Sequence, residues 1–191
     1  NQPARAKQAE YWYAQLAGSD PVTSSTIAAA YAGNDEITNA STPCKVTNNG
    51  EEVGSSKGDD YPDQYKKVQK DSTTDGLSYY NRECTSFVAW RLKHEGIADN
   101  LIEHNGNGAQ WAGNARSKGV PVDHSPSVGA VAEFEGGGYG HVAIVSAVHG
   151  DKVDLEEYNQ ITASTPDGDG MYHTRSNVPA SSVSNFIYFK K

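Results

Sequence analysis

Cys84 stands in the run Tyr80-Asn81-Arg82-Glu83-Cys84-Thr85-Ser86-Phe87-Val88-Ala89-Trp90, at the start of an expected amphipathic helix. Farther along, Gly138-Tyr139-Gly140-His141 opens the apolar stretch Val142 to Val148, and Glu156-Glu157-Tyr158-Asn159 closes a second one. A thiol at a helix start, an imidazole at a strand start and a carboxylate with an amide at a strand end supply a nucleophile, a proton shuttle and an orienting group. Free cysteine titrates near pH ~8.5, and a helix N-terminus or a neighbouring imidazolium lowers that value. The chemistry open to such a set is attack of a thiolate on a carbonyl carbon, with the imidazole carrying the proton.

Two strands must bring the imidazole and the carboxylate together. A turn at His149-Gly150-Asp151 pairs Val148 with Lys152, Ala143 with Glu157 and His141 with Asn159. Side chains alternate across a strand, so His141, Ala143, Val145 and Ala147 share one face with Val153, Leu155, Glu157 and Asn159. Lys152, Asp154 and Glu156 then fall on the face better suited to water. A turn one residue shorter would slip the register and separate His141 from Glu157. Either Glu157 or Asn159 can accept the second N–H of the ring. The backbone N–H of Cys84 is the natural donor to an oxyanion, with the side chain of Asn81 as a helper.

The wider pattern indicates helices first and antiparallel strands afterwards, an α+β chain. Residues 4–17 favour helix with Gly18 as a stop, and a second helix is expected from Ser19-Asp20-Pro21 to Tyr31. Residues 41–74 are rich in Ser, Thr, Asn, Gly and charge and read as loop or linker, with a helical turn within 61–68. The boundary is therefore set between an N-terminal helical segment with linker, 1–70, and a catalytic domain, 71–191. In that domain a helix is expected at 84–95, with Gly96 in the position after its cap, and a short helix at 109–117. Strands are expected at 129–134, 141–148, 152–158 and 185–189.

At 191 residues the chain can bury one ordinary core with a modest appendage. It has 11 Tyr and a mean hydropathy of -0.67, and its apolar stretches fall far short of the ~20 residues that cross a bilayer. No membrane span is expected. The net charge of -8, without a Lys/Arg stripe among aromatics, argues against nucleic acid as a partner. Two cysteines are too few for a disulfide scaffold, and a Cys44–Cys84 bridge would cap the nucleophile. No Cys/His cluster has zinc spacing, and Asp167-Gly168-Asp169-Gly170 lacks the remaining ligands of a calcium loop, so neither metal nor cofactor is assigned. The start at Asn1 fits a processed secreted protein or an excised domain equally.

Residues from about 75 to 189 resemble the CHAP domain, the cysteine, histidine-dependent amidohydrolase/peptidase family of bacterial and phage cell-wall enzymes. The blocks at 80–90, at 138–145 (Gly-Tyr-Gly-His-Val-Ala-Ile-Val) and at 153–159 (Val-Asp-Leu-Glu-Glu-Tyr-Asn) carry the resemblance, in the family's order. Ala109-Gln110-Trp111-Ala112 and Pro126-Ser127-Val128-Gly129-Ala130-Val131 are similar to family segments as well. The resemblance implies a papain-like α+β fold and hydrolysis of amide bonds in peptidoglycan, by an amidase or an endopeptidase. It implies Cys84 as nucleophile, His141 as base, Glu157 as the usual third member and Asn159 as a further polar one. Trp111 and Tyr139 are expected to flank the groove and stack on substrate. Some relatives bind calcium just before the nucleophile, where this chain has Asp71 and Asp75 but Leu77, Ser78 and Tyr79 closer in. A secreted or wall-associated monomer is expected. The alternative is a non-catalytic wall-binding module of the same fold, marked by loss of Cys, His or Glu, and none is lost here.

Overall fold

The structure of the protein is a computed structural model that describes residues 47–48, 51–52, 54–162 and 164–190. The helices expected at 4–17 and after Ser19, and Cys44, lie outside the described residues. Four short helices are described: Asp63–Lys66 (α1), Cys84–His94 (α2), Asp99–Ile102 (α3) and Trp111–Ser117 (α4). The described strands are Thr47–Asn48 (β1), Glu51–Glu52 (β2), Val122–Asp123 (β3), Val131–Phe134 (β4), His141–His149 (β5), Lys152–Tyr158 (β6), Tyr172–Pro179 (β7) and Asn185–Ile187 (β8). Every pairing is antiparallel, and helices precede most of the sheet, so the chain is α+β as expected.

β5 is the centre of the sheet. One of its edges carries β6, which in turn pairs with β7. The other edge is shared: β4 pairs with its first half and β2 with its last two residues. From β4 the order continues through β8 to β3. Alternation along β5 sends Val142 and Ile144 into one core, with Phe87, Val88, Leu92 and Trp111 from the helices. Ala143 and Val145 point into the other core, with Ala132, Val153, Leu155 and Phe186.

α2 lies on the first of these cores because Phe87, Val88, Ala89 and Leu92 form one apolar face, all buried. Its last turn holds Arg91, Lys93 and His94, the sign that the helix dipole favours there, and Gly96 takes φ 89 just after the cap. The helix therefore starts and stops where its local sequence places the signals.

The β5–β6 hairpin corrects one expectation and keeps its consequence. The connection is the two-residue loop Gly150-Asp151, with Gly150 at φ 62, so that His149 pairs with Lys152 and Val148 with Val153. That register alone would part His141 from Glu157. A one-residue bulge between Val145 and Ala147 undoes the slip, and beyond it Val145 faces Leu155 and Ile144 faces Glu156. The end of the hairpin that carries His141 and Glu157 has the expected register, reached by a different route.

Glu156 is a second correction. Instead of facing water it is buried, because residues ahead of the expected domain boundary cover it. Its Oε1 accepts from Ser56 Oγ (2.9 Å), the amides of Lys57 and Gly58 (3.0 Å each) and the Tyr172 hydroxyl (2.6 Å). Its Oε2 accepts from Arg91, itself buried, at 3.2 Å. Tyr61 packs edge-on against Phe87, Trp90 and Tyr158 and hydrogen-bonds Ser86. The boundary expected between 70 and 71 thus falls inside a packed unit that spans Lys45–Lys191.

Candidate active site

Cys84 is the first residue of α2 and is 7 % exposed. No side chain caps the helix start, although Glu83 is the N-cap residue. The Glu83 carboxylate turns instead to Lys70 Nζ, at 2.6 Å, and to Asn159 Nδ2, at 2.8 Å. The first amides of α2 remain available to an anion beside the thiol. The chain enters the helix through Arg82 at φ 64, a conformation held by Arg82 Nε on the Gly170 carbonyl, 2.8 Å away.

His141 opens β5, and its position is set by backbone packing. The 3-10 turn Gly108–Gln110 lies against Gly140 and His141 so closely that a Cβ on Gly108 would sit 2.5 Å from the His141 nitrogen. The Ala109 amide donates to the Tyr139 carbonyl at 3.0 Å and ties the two segments together. Cys84 is close enough to the imidazole to strengthen its hold on a proton. The ring Nε2 lies 2.8 Å from Glu157 Oε2.

Glu157 has no exposed surface. Arg175 of β7 donates to both of its oxygens, through Nε to Oε1 (2.5 Å) and Nη2 to Oε2 (2.8 Å), and lies over the Phe134 ring at 4.8 Å. Burial would raise the Glu157 carboxyl, yet His141 and Arg175 outweigh it and hold it below the usual carboxylate range. Burial likewise pulls His141 down, but the negative charges of Cys84 and Glu157 prevail and push the ring up from 6.5 to about 9. Glu83 moves the other way: burial raises its carboxyl in spite of Lys70 and Asn159.

Of the residues singled out from sequence, the structure brings Cys84, His141 and Glu157 together. Asn159 is close in the chain but turned away. At φ 57 it donates to Glu83 and accepts the Gly170 amide at 2.7 Å, so it holds the segment leading into Cys84 rather than the ring. Asn81 is fully buried and its side chain is spent: Nδ2 donates to the Tyr65 and Gln69 carbonyls and Oδ1 accepts the Thr73 amide. It has no donor left for an oxyanion or a substrate. Trp111 is core, against Tyr79 and Phe189, because the start of α4 faces inward; it does not line a groove. Tyr139 is 73 % exposed in the loop that leads into His141.

Asp75 is likewise engaged within the fold, accepting the Leu77 and Tyr79 amides and the Ser86 hydroxyl. Asp169, in the Asp-Gly-Asp-Gly stretch, takes the Met171 amide and His173. Among the described residues no group of three or more His, Cys, Asp and Glu side chains is placed to hold a metal ion.

Sequence reasoning passed over Arg175 and Gly108. The segment of β7 is mostly polar and has no alternation to mark it as a strand. Gly108 adjoins the block Ala109–Ala112 that had drawn notice, but only the fold shows what it touches.

Residues 73–159 match the CHAP domain profile. They are a CHAP domain. Cys84, His141, Glu157 and Asn159 lie inside the matched residues, whereas Arg175 and the strap of residues 56–61 lie outside it. The chain is 32 % identical over 112 residues to "Probable autolysin SsaALP" of Staphylococcus aureus, which is 58 % of this chain and 39 % of that protein. It is 34 % identical over 82 residues to the staphylococcal secretory antigen SsaA, 42 % of this chain and 30 % of that one. The chain thus spans well under half the length of these relatives. A crystal structure of an N-acetylmuramoyl-L-alanine amidase from Staphylococcus aureus aligns with TM-score 0.49 at 27 % identity, over 69 % of this chain and 36 % of that one.

Proposed function

We propose that the CHAP domain hydrolyses amide bonds of peptidoglycan through an acyl-enzyme on Cys84. The reading is carried by one observation: Cys84, first residue of the uncapped α2, is near enough to act on the charge of the His141 ring, whose Nε2 meets Glu157 at 2.8 Å. The Cys84 thiolate attacks the amide carbon, and the oxyanion is received by the first amides of the helix. Protonated His141 gives its proton to the leaving amine, then takes one from the water that releases the product. Glu157 fixes which ring nitrogen meets the thiol. Relatives named as an autolysin and a secretory antigen support the wall as the substrate and the cell surface as the place of action.

Purified peptidoglycan incubated with the wild type and with Cys84→Ala tests the proposal. Mass spectrometry of the released material is expected to find new termini with the wild type only. Free L-alanine N-termini would identify an N-acetylmuramoyl-L-alanine amidase, and new termini within the stem or bridge an endopeptidase. Equal release by both proteins would overturn the assignment.

A further inference from the structure

Cys84 and His141 together, in the ion-paired form, add no net charge to the interior. Glu157 adds a full negative charge at a position with no exposed surface. A lone buried carboxylate is costly and takes up a proton instead. Arg175 is so placed that this does not happen. It grips both oxygens of Glu157, and one of those oxygens is the acceptor for His141 Nε2. His141, Glu157 and Arg175 therefore form one chain of contacts, with the buried carboxylate between two basic side chains.

We propose that Arg175 is a positioning residue of the site, which pins Glu157 in the plane of the imidazole and cancels its buried charge, so that the Cys84–His141 pair forms in surroundings with no net charge. The mechanistic setting rests on the function proposed above, but the electrostatic role concerns the resting protein.

Other groups do not supply this charge. His173 stands opposite Glu157 in the β6–β7 ladder, but its Nε2 is taken by Asp169 at 2.7 Å. Lys70 is committed to Glu83 and Asp71, and Arg82 to the carbonyls of Val68, Asp169 and Gly170. Arg91 serves Glu156 and Asp60. From β4 the neighbour is the Phe134 ring, which lies against the guanidinium without competing for its hydrogen bonds. A lysine at 175 would keep the charge but could not span both oxygens, since only the guanidinium fork matches a carboxylate edge.

The test is the titration of the His141 ring, followed by NMR in the full chain with labelled histidine and assigned with His141→Gln. Arg175→Met leaves Glu157 unopposed, and the ring is expected to titrate about one pH unit above the wild type. Glu157→Gln leaves Arg175 unopposed and should give the lowest value. The double variant Glu157→Gln/Arg175→Met should lie between Glu157→Gln and the wild type. Arg175→Lys should titrate close to the wild type while kcat for fragment release falls on the order of tenfold, from loss of one of two charge-assisted hydrogen bonds. A side chain that only braces β7 would lower the melting temperature and leave the titration of the His141 ring where it is in the wild type. Equal titration in a folded Arg175→Met and the wild type overturns the proposal. If Arg175→Met does not fold, equal titration in Glu157→Gln and the double variant overturns it. A wild type that releases nothing from peptidoglycan would sink the proposed function, while the order of titrations would still decide the role of Arg175.

Discussion

Glu156→Gln separates the roles of two adjacent glutamates on β6. Glu156 is 1 % exposed, as is Arg91, and the two meet at 3.2 Å. Burial by itself would raise this carboxyl, but Tyr172, Arg91 and Ser56 hold it below the ordinary value of 4.5. Glutamine keeps one acceptor oxygen and removes the charge, leaving Arg91 with Asp60 and the Gly58 carbonyl. Breaking a buried ion pair from one side costs about 3–5 kcal/mol. With Asp60 still in place the lower end applies, about 3 kcal/mol, or about 10 °C in Tm for a domain of this size. Urea unfolding at neutral pH measures the loss, and fragment release per folded molecule measures the chemistry. Release is expected to stay within about threefold of the wild type, because Glu156 points to the side of β6 away from His141. The sign of the pH dependence follows from the depressed carboxyl. Its stabilisation is present above the unfolded value and is lost as pH falls through the folded one. The difference between variant and wild type should therefore close as pH drops below 4.5. A loss under about 1 kcal/mol, or a fully stable variant that no longer cleaves, would refute this reasoning.

Three other perturbations follow from the same geometry. With His141 raised from 6.5 to about 9, kcat/KM for release should hold through neutral pH and fall above about 9; the stability that its charge contributes, complete below 6.5, should vanish across that same window, and a pH–rate profile that stays flat well beyond it would argue against the ion pair. Gly108→Ala places a Cβ 2.5 Å from the His141 nitrogen, so the strand start must shift; a loss of about 100-fold in kcat with a nearly unchanged melting curve is expected, and full activity would mean that the contact gives way harmlessly. A chain that starts at Asp71 lacks Tyr61 and the donors of Ser56 to Gly58, and circular dichroism should find it unfolded where a chain starting at Lys45 folds.

How far the sequence reached depended on whether the decisive contact was local. α2 could be placed because its apolar face, basic last turn and Gly96 all lie within one short stretch. The strands at 141 and 152 were legible for the same reason: alternation and glycine turns are written residue by residue. The blocks around Cys84, His141 and Glu157 were also close enough to a known family to point to the chemistry proposed above. Asn81 and Trp111 misled because polarity or aromaticity next to the nucleophile says nothing of where the side chain points. Both are consumed by the interior, Asn81 by three backbone groups and Trp111 by the packing of α4.

By itself, then, the sequence determined α2, α4 and the strands β4, β5, β6 and β8, and singled out Cys84, His141 and Glu157. Tertiary structure decided what surrounds them. The bulge at Ser146 chose the register, since strain and pairing along the whole hairpin set it, not the turn alone. The same packing buried Glu156 under residues 56–58, turned Asn159 from the ring to Glu83, and brought Arg175 across a ladder onto Glu157. Each is a choice among polar partners far apart in the chain. Such choices are made by desolvation: once a charge is buried, it must be met by whatever donor the fold carries within reach.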